Sequence, residues 1–254
     1  GLQSLGIDKG SNVALLSNNS PRWAMSDYGI ICSGAATVSV YPTLIPSQME
    51  YILNDSNSIM VFAENQEQME KVMAVWGNCP QLTHAVVMDD SNTEADDRII
   101  NFLDFLDLGT KYEQETETSF DDLTAKPEPN DLLTLIYTSG TTGNPKGVML
   151  SHGNMMSNVE GIKQDISFDQ TEIFLSFLPL SHSFERMGGH FTAFSVGARV
   201  YYAESIETVP DNLREVKPSV VLSVPRLYEK MYSKVREGLK SAPEARQKIF
   251  WWAI

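Results

Sequence analysis

Cysteine is scarce, cationic charge is in deficit, and no long apolar run interrupts the 254 residues. The two cysteines, Cys32 and Cys79, make neither a disulfide framework nor a metal cluster, so a reducing, cytoplasmic setting is the simplest expectation. Cys32 sits in an apolar helical stretch and is expected to be a small core residue. Against 33 Asp and Glu there are only 19 Lys and Arg, a net charge of −14 with no basic block, which argues against a nucleic-acid partner. An acidic protein can bind anions only through local backbone nests, individual lysines and a bridging divalent cation. No segment approaches the ~18 consecutive apolar residues of a membrane-spanning helix. No signal-peptide pattern is visible, so a soluble or peripherally attached protein is expected. Peripheral membrane contact and oligomer formation stay open. There is no internal repeat and no low-complexity tract.

Hydrophobic residues make up 42% of the chain, enough for one large core or two small ones. Strand-like runs at 13–16, 36–40, 59–62 and 84–88 alternate with helical patterns at 20–32, 47–53 and 65–76. This order predicts an α/β fold, with mostly parallel sheets covered by helices. Residues 89–130 are acidic and polar and read as an insertion or mobile connection, because their carboxylates lack a metal-ligand spacing. Pro127-Glu128-Pro129-Asn130 ends that stretch. A soft boundary there divides the chain into a first α/β subdomain, 1–126, and a second, 127–254. In the second, strands are expected at 132–136, 148–150, 173–177, 199–202 and 220–224. Helices are expected at 151–166, 206–216 and 226–239.

The segment Tyr137-Thr-Ser-Gly-Thr-Thr-Gly-Asn-Pro-Lys-Gly-Val-Met-Leu-Ser-His152 is the most informative. Between two apolar runs that can pair as a hairpin, residues 138–147 hold three glycines, four hydroxyl side chains and one lysine. Glycine lets backbone approach a ligand closely. Successive free N–H groups make a concave anion site, to which hydroxyls and Lys146 add donors. The pattern suits a polyphosphate. It is not the common P-loop, in which G-x-x-x-x-G-K-[ST] runs straight into a helix.

This segment closely resembles the signature loop of the adenylate-forming superfamily, which includes acyl-CoA synthetases, luciferases and peptide-synthetase adenylation domains. The resemblance implies that ATP, with Mg²⁺, activates a carboxylate to an acyl adenylate plus pyrophosphate, and that a thiol then takes the acyl group. Thr138, Ser139, Gly140, Thr141, Thr142, Gly143 and Lys146 would hold the phosphates, with Thr138 or Thr141 nearest the metal. Donors aimed at the departing pyrophosphate would count most in the transition state.

Two further segments refine the resemblance. Leu178-Pro-Leu-Ser-His182-Ser-Phe-Glu-Arg186 follows a strand, and ligands of open α/β sheets bind at strand carboxyl ends. A histidine on such a turn is often structural, and three others (His84, His152 and His190) show that residue type alone decides nothing. In the superfamily a similar histidine sits near the substrate carboxylate, which implies a catalytic and substrate-binding role for His182, beside that of Lys146. The longer form through Glu185-Arg186 is similar to long-chain fatty acyl-CoA synthetases; those two residues are alternatively just an ion pair holding the turn. Val224-Pro-Arg-Leu-Tyr228-Glu-Lys230 is similar to the stretch bordering the fatty-acyl tunnel, where Tyr228 is either a gate or core packing. Gly188, Gly189 and Gly197 are candidates for setting pocket size.

The expectation is therefore a long-chain fatty acid–CoA ligase with CoA as co-substrate. The alternatives are a ligase for an aryl, short-chain or amino acid, and a non-catalytic nucleotide- or acyl-binding module. The superfamily's adenine, ribose and thioesterification segments have no counterpart here. A truncated synthetase, unable to turn over alone, is expected.

Overall fold

The computed structural model describes residues 1–89, 96–124, 126–138, 143–240 and 242–253. Seven strands form one sheet: β1 (Asn12–Leu16), β2 (Ala36–Val40), β3 (Ser58–Ala63), β4 (His84–Val87), β5 (Ile99–Asn101), β6 (Leu132–Thr138) and β7 (Lys146–Ser151). Their spatial order is β5-β4-β3-β1-β2-β6-β7. Every pairing is parallel except β6 with β7, which is antiparallel. The mostly parallel α/β architecture anticipated above is thus observed.

Both faces of the sheet are buried, as a parallel sheet wrapped by crossover helices requires. In β1, Ala14 and Leu16 pack into one core, with Met49, Ile52 and Leu53 of α2 (Pro46–Asp55) and Met69 and Val72 of α3 (Gln66–Val75). Val13 and Leu15 face the other, with Trp23 and Ile30 of α1 (Pro21–Cys32) and Phe102 and Phe105 of α4 (Phe102–Thr116). Ser20 starts α1 as read from sequence: its hydroxyl accepts from the Trp23 N–H at 3.0 Å, and Pro21 occupies the first turn.

Residues 89–130 depart from expectation. The described residues of this stretch supply edge strand β5, helix α4 and the short α5 (Phe120–Leu123), where an insertion or mobile connection was expected. Ile100, Phe102 and Phe105 join the core on one face of the sheet and Ile99 the core on the other, while the acidic side chains of α4 and α5 lie outside. The boundary drawn near 126/127 lies within reach of this same sheet, since β6 pairs with β2.

Helix α6 (His152–Asp165) follows β7, and its cap is Ser151, whose hydroxyl accepts from the Asn154 N–H. A second, two-stranded parallel sheet joins β8 (Ile173–Ser176) to β9 (Arg199–Tyr202). Between them run α7 (Ser183–Glu185), a π-helical turn Arg186–Phe191 and α8 (Thr192–Ser195). Helices α9 (Val209–Val216), α10 (Pro225–Lys240) and α11 (Glu244–Ala253) complete the described chain. The strand expected at 220–224 is not formed: Val220 makes one bridge to Phe174, and the chain then leaves the sheet edge. Cys79 rather than Cys32 is the buried thiol; Cys32 closes α1 half-exposed.

Candidate active site

Strands β1, β2, β6 and β8 all end towards the same region of the molecule. Strand β6 ends at Thr138 and β7 begins at Lys146, the two being partners in the hairpin register. Both side chains are exposed, and Lys146 makes no ion pair among the described residues. Ser139, Gly140, Thr141 and Thr142 lie outside the described residues. Gly143 has φ +91°, a conformation that side-chain-bearing residues rarely adopt. Near the base of the hairpin, Gly147 lies so close to the Tyr137 ring that a Cβ there would stand 3.0 Å from Cζ. The Tyr137 hydroxyl donates to Asp55 Oδ2 at 2.7 Å and ties the hairpin to the end of α2.

The second wall is the turn after β8. Asn19, in the loop following β1, clamps it: its amide donates to the Leu178 carbonyl at 2.7 Å, and its Oδ1 accepts from the Leu180 N–H at 2.9 Å. Ser39 at the end of β2 reaches the Ser181 carbonyl at 3.4 Å. These contacts present His182 on the surface as the cap of α7. Its Nδ1 accepts from the Phe184 N–H at 3.2 Å, which leaves the ring proton on Nε2 as an outward donor. That donor could meet an oxygen gaining negative charge.

Between hairpin and turn lies a cavity of about 440 Å³, lined by Ile136, Thr138, Val148, Leu150, Met155 and Phe184, with Asn154, Asn158, Ser183 and Met187 completing it. Among the described residues, no ionisable side chain lines it. An apolar tail could lie within, with its polar end beside Thr138.

Glu185 and Arg186 do not pair with each other. Arg186 is fully buried and bonds Asp27, also fully buried, and Thr134. Burial alone would raise the Asp27 pKa, but the guanidinium, helped by His190 and Thr37, holds it below the ordinary value. His190 Nε2 lies 3.3 Å from Asp27 Oδ2, and burial keeps this imidazole below its usual pKa. Glu185 is 1% exposed, and its Oε2 has no hydrogen-bond partner among the described residues. Burial pushes its carboxyl up to about 7, against a smaller opposing effect from Ser176.

Tyr228 stands in the first turn of α10 at 63% exposure, so it is not core packing, and it does not line the cavity. Gly188 and Gly189 are buried in the π turn, where added Cβ atoms would meet Leu222 Cδ2 and Glu185 Oε1, each at 2.6 Å. The cavity is shaped instead by their neighbour Met187. Sequence reasoning missed Asn19, Asp27 and Thr134, since a polar residue in an ordinary strand, helix or loop context carries no local signal of its distant partner.

Known proteins match the chain as a whole. The chain aligns along its whole length with the long-chain-fatty-acid–CoA ligase ACSBG1 of Rattus norvegicus (31% identity) and spans 36% of that protein. For the human protein of that name the identity is 32%, with the same coverage. The chain therefore spans about a third of the curated relatives' length. Among solved structures, the anthranilate CoA ligase AuaEII in complex with anthranoyl-AMP superposes with a TM-score of 0.78 at 25% identity, over 89% of this chain and 42% of that one. The N-terminal domain of FACL13 from Mycobacterium tuberculosis shares the fold, with a TM-score of 0.68 at 21% identity, over 96% of this chain and 55% of that one. The sequence pattern of the AMP-binding enzymes matches residues 1–249, and the chain belongs to that family.

Proposed function

We propose that the whole protein of which this chain is part is a long-chain fatty acid–CoA ligase. It would join a fatty acid to AMP with loss of pyrophosphate, then pass the acyl group to CoA. The observation that carries this reading is the apolar, uncharged cavity running from Thr138 to Phe184 between the phosphate hairpin and the histidine turn. An amino-acid substrate would need a carboxylate for its amine, and the lining has none among the described residues. The length of chain matched to fatty-acid ligases supports the same reading.

In this proposal the phosphates lie on Thr138, Ser139, Gly140, Thr141, Thr142, Gly143 and Lys146. Magnesium, supplied with ATP, would neutralise the phosphate charge, and the exposed Thr138 hydroxyl is its proposed protein contact. Thr138 fits that role because hard cations take oxygen ligands and its side chain is not turned into the core. Lys146, which has no ion-pair partner among the described residues, balances charge on the departing pyrophosphate. His182 donates through Nε2 to the carboxylate being activated. Tyr228 is proposed as a gate on the acyl path rather than as its wall. The two halves of the chain, 1–126 and 127–254, would serve as scaffold and as site-bearing unit. A cytoplasmic protein with peripheral membrane contact fits an amphiphilic substrate.

A second reading, an aryl-acid ligase, is favoured by the match to the anthranilate CoA ligase. ATP–pyrophosphate exchange on the full-length protein, with acids of graded length, separates the two. Exchange that rises with long acids supports the fatty-acid reading. Exchange confined to aromatic acids replaces it with the second. A folded, complete protein inert to every acid would leave a non-catalytic binding module.

A further inference from the structure

We propose that Arg186 is a positioning residue: it locks the turn that presents His182 to the strand that delivers Thr138, so that both sides of the site keep one geometry. Its kinetic consequence rests on the acid-activating reading above; its structural consequence does not.

The guanidinium sits in a closed polar ring. Nε donates to Asp27 Oδ2 at 3.3 Å, Nη2 to Asp27 Oδ1 and Nη1 to Thr134 Oγ1. The Thr134 hydroxyl donates to the Thr37 carbonyl and the Thr37 hydroxyl to Asp27 Oδ1, both at 2.6 Å. Helix α1, strands β2 and β6 and the π turn therefore meet on one side chain. The rings of Trp23 and Phe191 stand 5.5 and 5.6 Å from the guanidinium carbon and keep water out.

Two lines run from this ring to the site. The Arg186 backbone N–H donates to the His182 carbonyl at 3.1 Å, closing the turn that shows the imidazole to solvent. The guanidinium grips Thr134, which shares a face of β6 with Ile136 and Thr138 because strand side chains alternate. Ile136 and Thr138 both line the cavity. A displacement of Arg186 would thus shift the histidine turn and the mouth of the phosphate hairpin relative to each other. A buried ion pair adds little net stability over apolar residues of the same size, so fold stability does not account for its presence. A planar fork that binds acceptors in two elements at once fixes orientation, which a lysine would not.

The test uses the full-length protein with Thr134→Val, which removes one arm of the ring, and Thr134→Ser, which keeps the hydroxyl. Amide hydrogen exchange is expected to rise about tenfold in both the β6–β7 hairpin and residues 182–186 of the valine variant, with β3 and β4 unchanged. In pyrophosphate exchange, kcat per folded molecule is expected to fall about 10- to 100-fold, with smaller changes in KM, because small misplacements of reacting groups are costly. Serine should restore both. Exchange that rises in the hairpin alone overturns the proposal, whatever the enzyme does. So does loosening at both places with unaltered kcat per folded molecule in an active enzyme. If the wild type activates no acid, the functional reading fails by itself, and hydrogen exchange still decides the coupling.

Discussion

Arg186 and Asp27 form an ion pair with no solvent exposure on either side chain, joining positions 159 residues apart in sequence. Removing one partner leaves the other charge buried without compensation. Asp27→Ala should therefore cost about 3–5 kcal/mol of unfolding free energy, measured as a fall in the urea midpoint. The double variant Asp27→Leu with Arg186→Met should recover most of that loss. The folded pKa of Asp27 lies below its ordinary value of 3.8, so its contribution is present above that pH and is lost as pH falls through the folded value.

Glu185 behaves in the opposite sense. Its folded pKa is raised from 4.5 to about 7, so the folded state holds the proton more tightly than the unfolded chain. Stability from this group is full below 4.5 and declines as pH rises through about 7. The accumulated loss is about 3 kcal/mol, from roughly 1.4 kcal/mol per pKa unit. Glu185→Gln should flatten the decline between pH 4.5 and about 7, the interval between the two pKa values. A thermal-melt series across that range checks it, and an unchanged slope would assign the decline to another group.

The two candidate catalytic side chains should separate kinetically in the full-length enzyme. Lys146→Ala is expected to lower pyrophosphate-exchange turnover about tenfold or more, the worth of a charge-assisted contact, with fatty-acid binding little altered. His182→Ala should lower kcat about a hundredfold, as expected for losing a donor to developing charge. Comparable losses in acid binding and turnover would instead indicate that the residue supports the local fold.

Gly189 lies against the Glu185 carboxyl, with space for no Cβ: one built there stands 2.6 Å from Oε1. Gly189→Ala should destabilise by about 1–3 kcal/mol, the usual cost of overpacking. In a Glu185→Ala background the same change should cost less, since the obstructing oxygens are gone. Non-additivity in a double-mutant cycle of urea midpoints is the expected signature; strictly additive costs would exclude the contact as the cause.

Much of the architecture was legible in the sequence because periodicity and chain punctuation are local. Ser20-Pro21 marks the start of α1, the apolar runs at 13–16 and 36–40 mark doubly covered strands, and the apolar runs on either side of residues 138–147 pair as the hairpin β6–β7. The acidic composition of residues 89–130 concealed β5 and α4, because an amphipathic element is defined by the few residues that meet the sheet, not by its average polarity. Residues 220–224 looked like a strand, but a strand exists only where a neighbour accepts its hydrogen bonds, and after Val220 none does among the described residues. The adjacency of Glu185 and Arg186 suggested a pair. Tertiary packing instead turned Arg186 towards Asp27 and left Glu185 as a buried acid. The sequence by itself determined which residue types stand at the ends of the β6–β7 hairpin. Only the tertiary structure decided which charges face one another across the core, because that choice depends on contacts between segments more than a hundred residues apart.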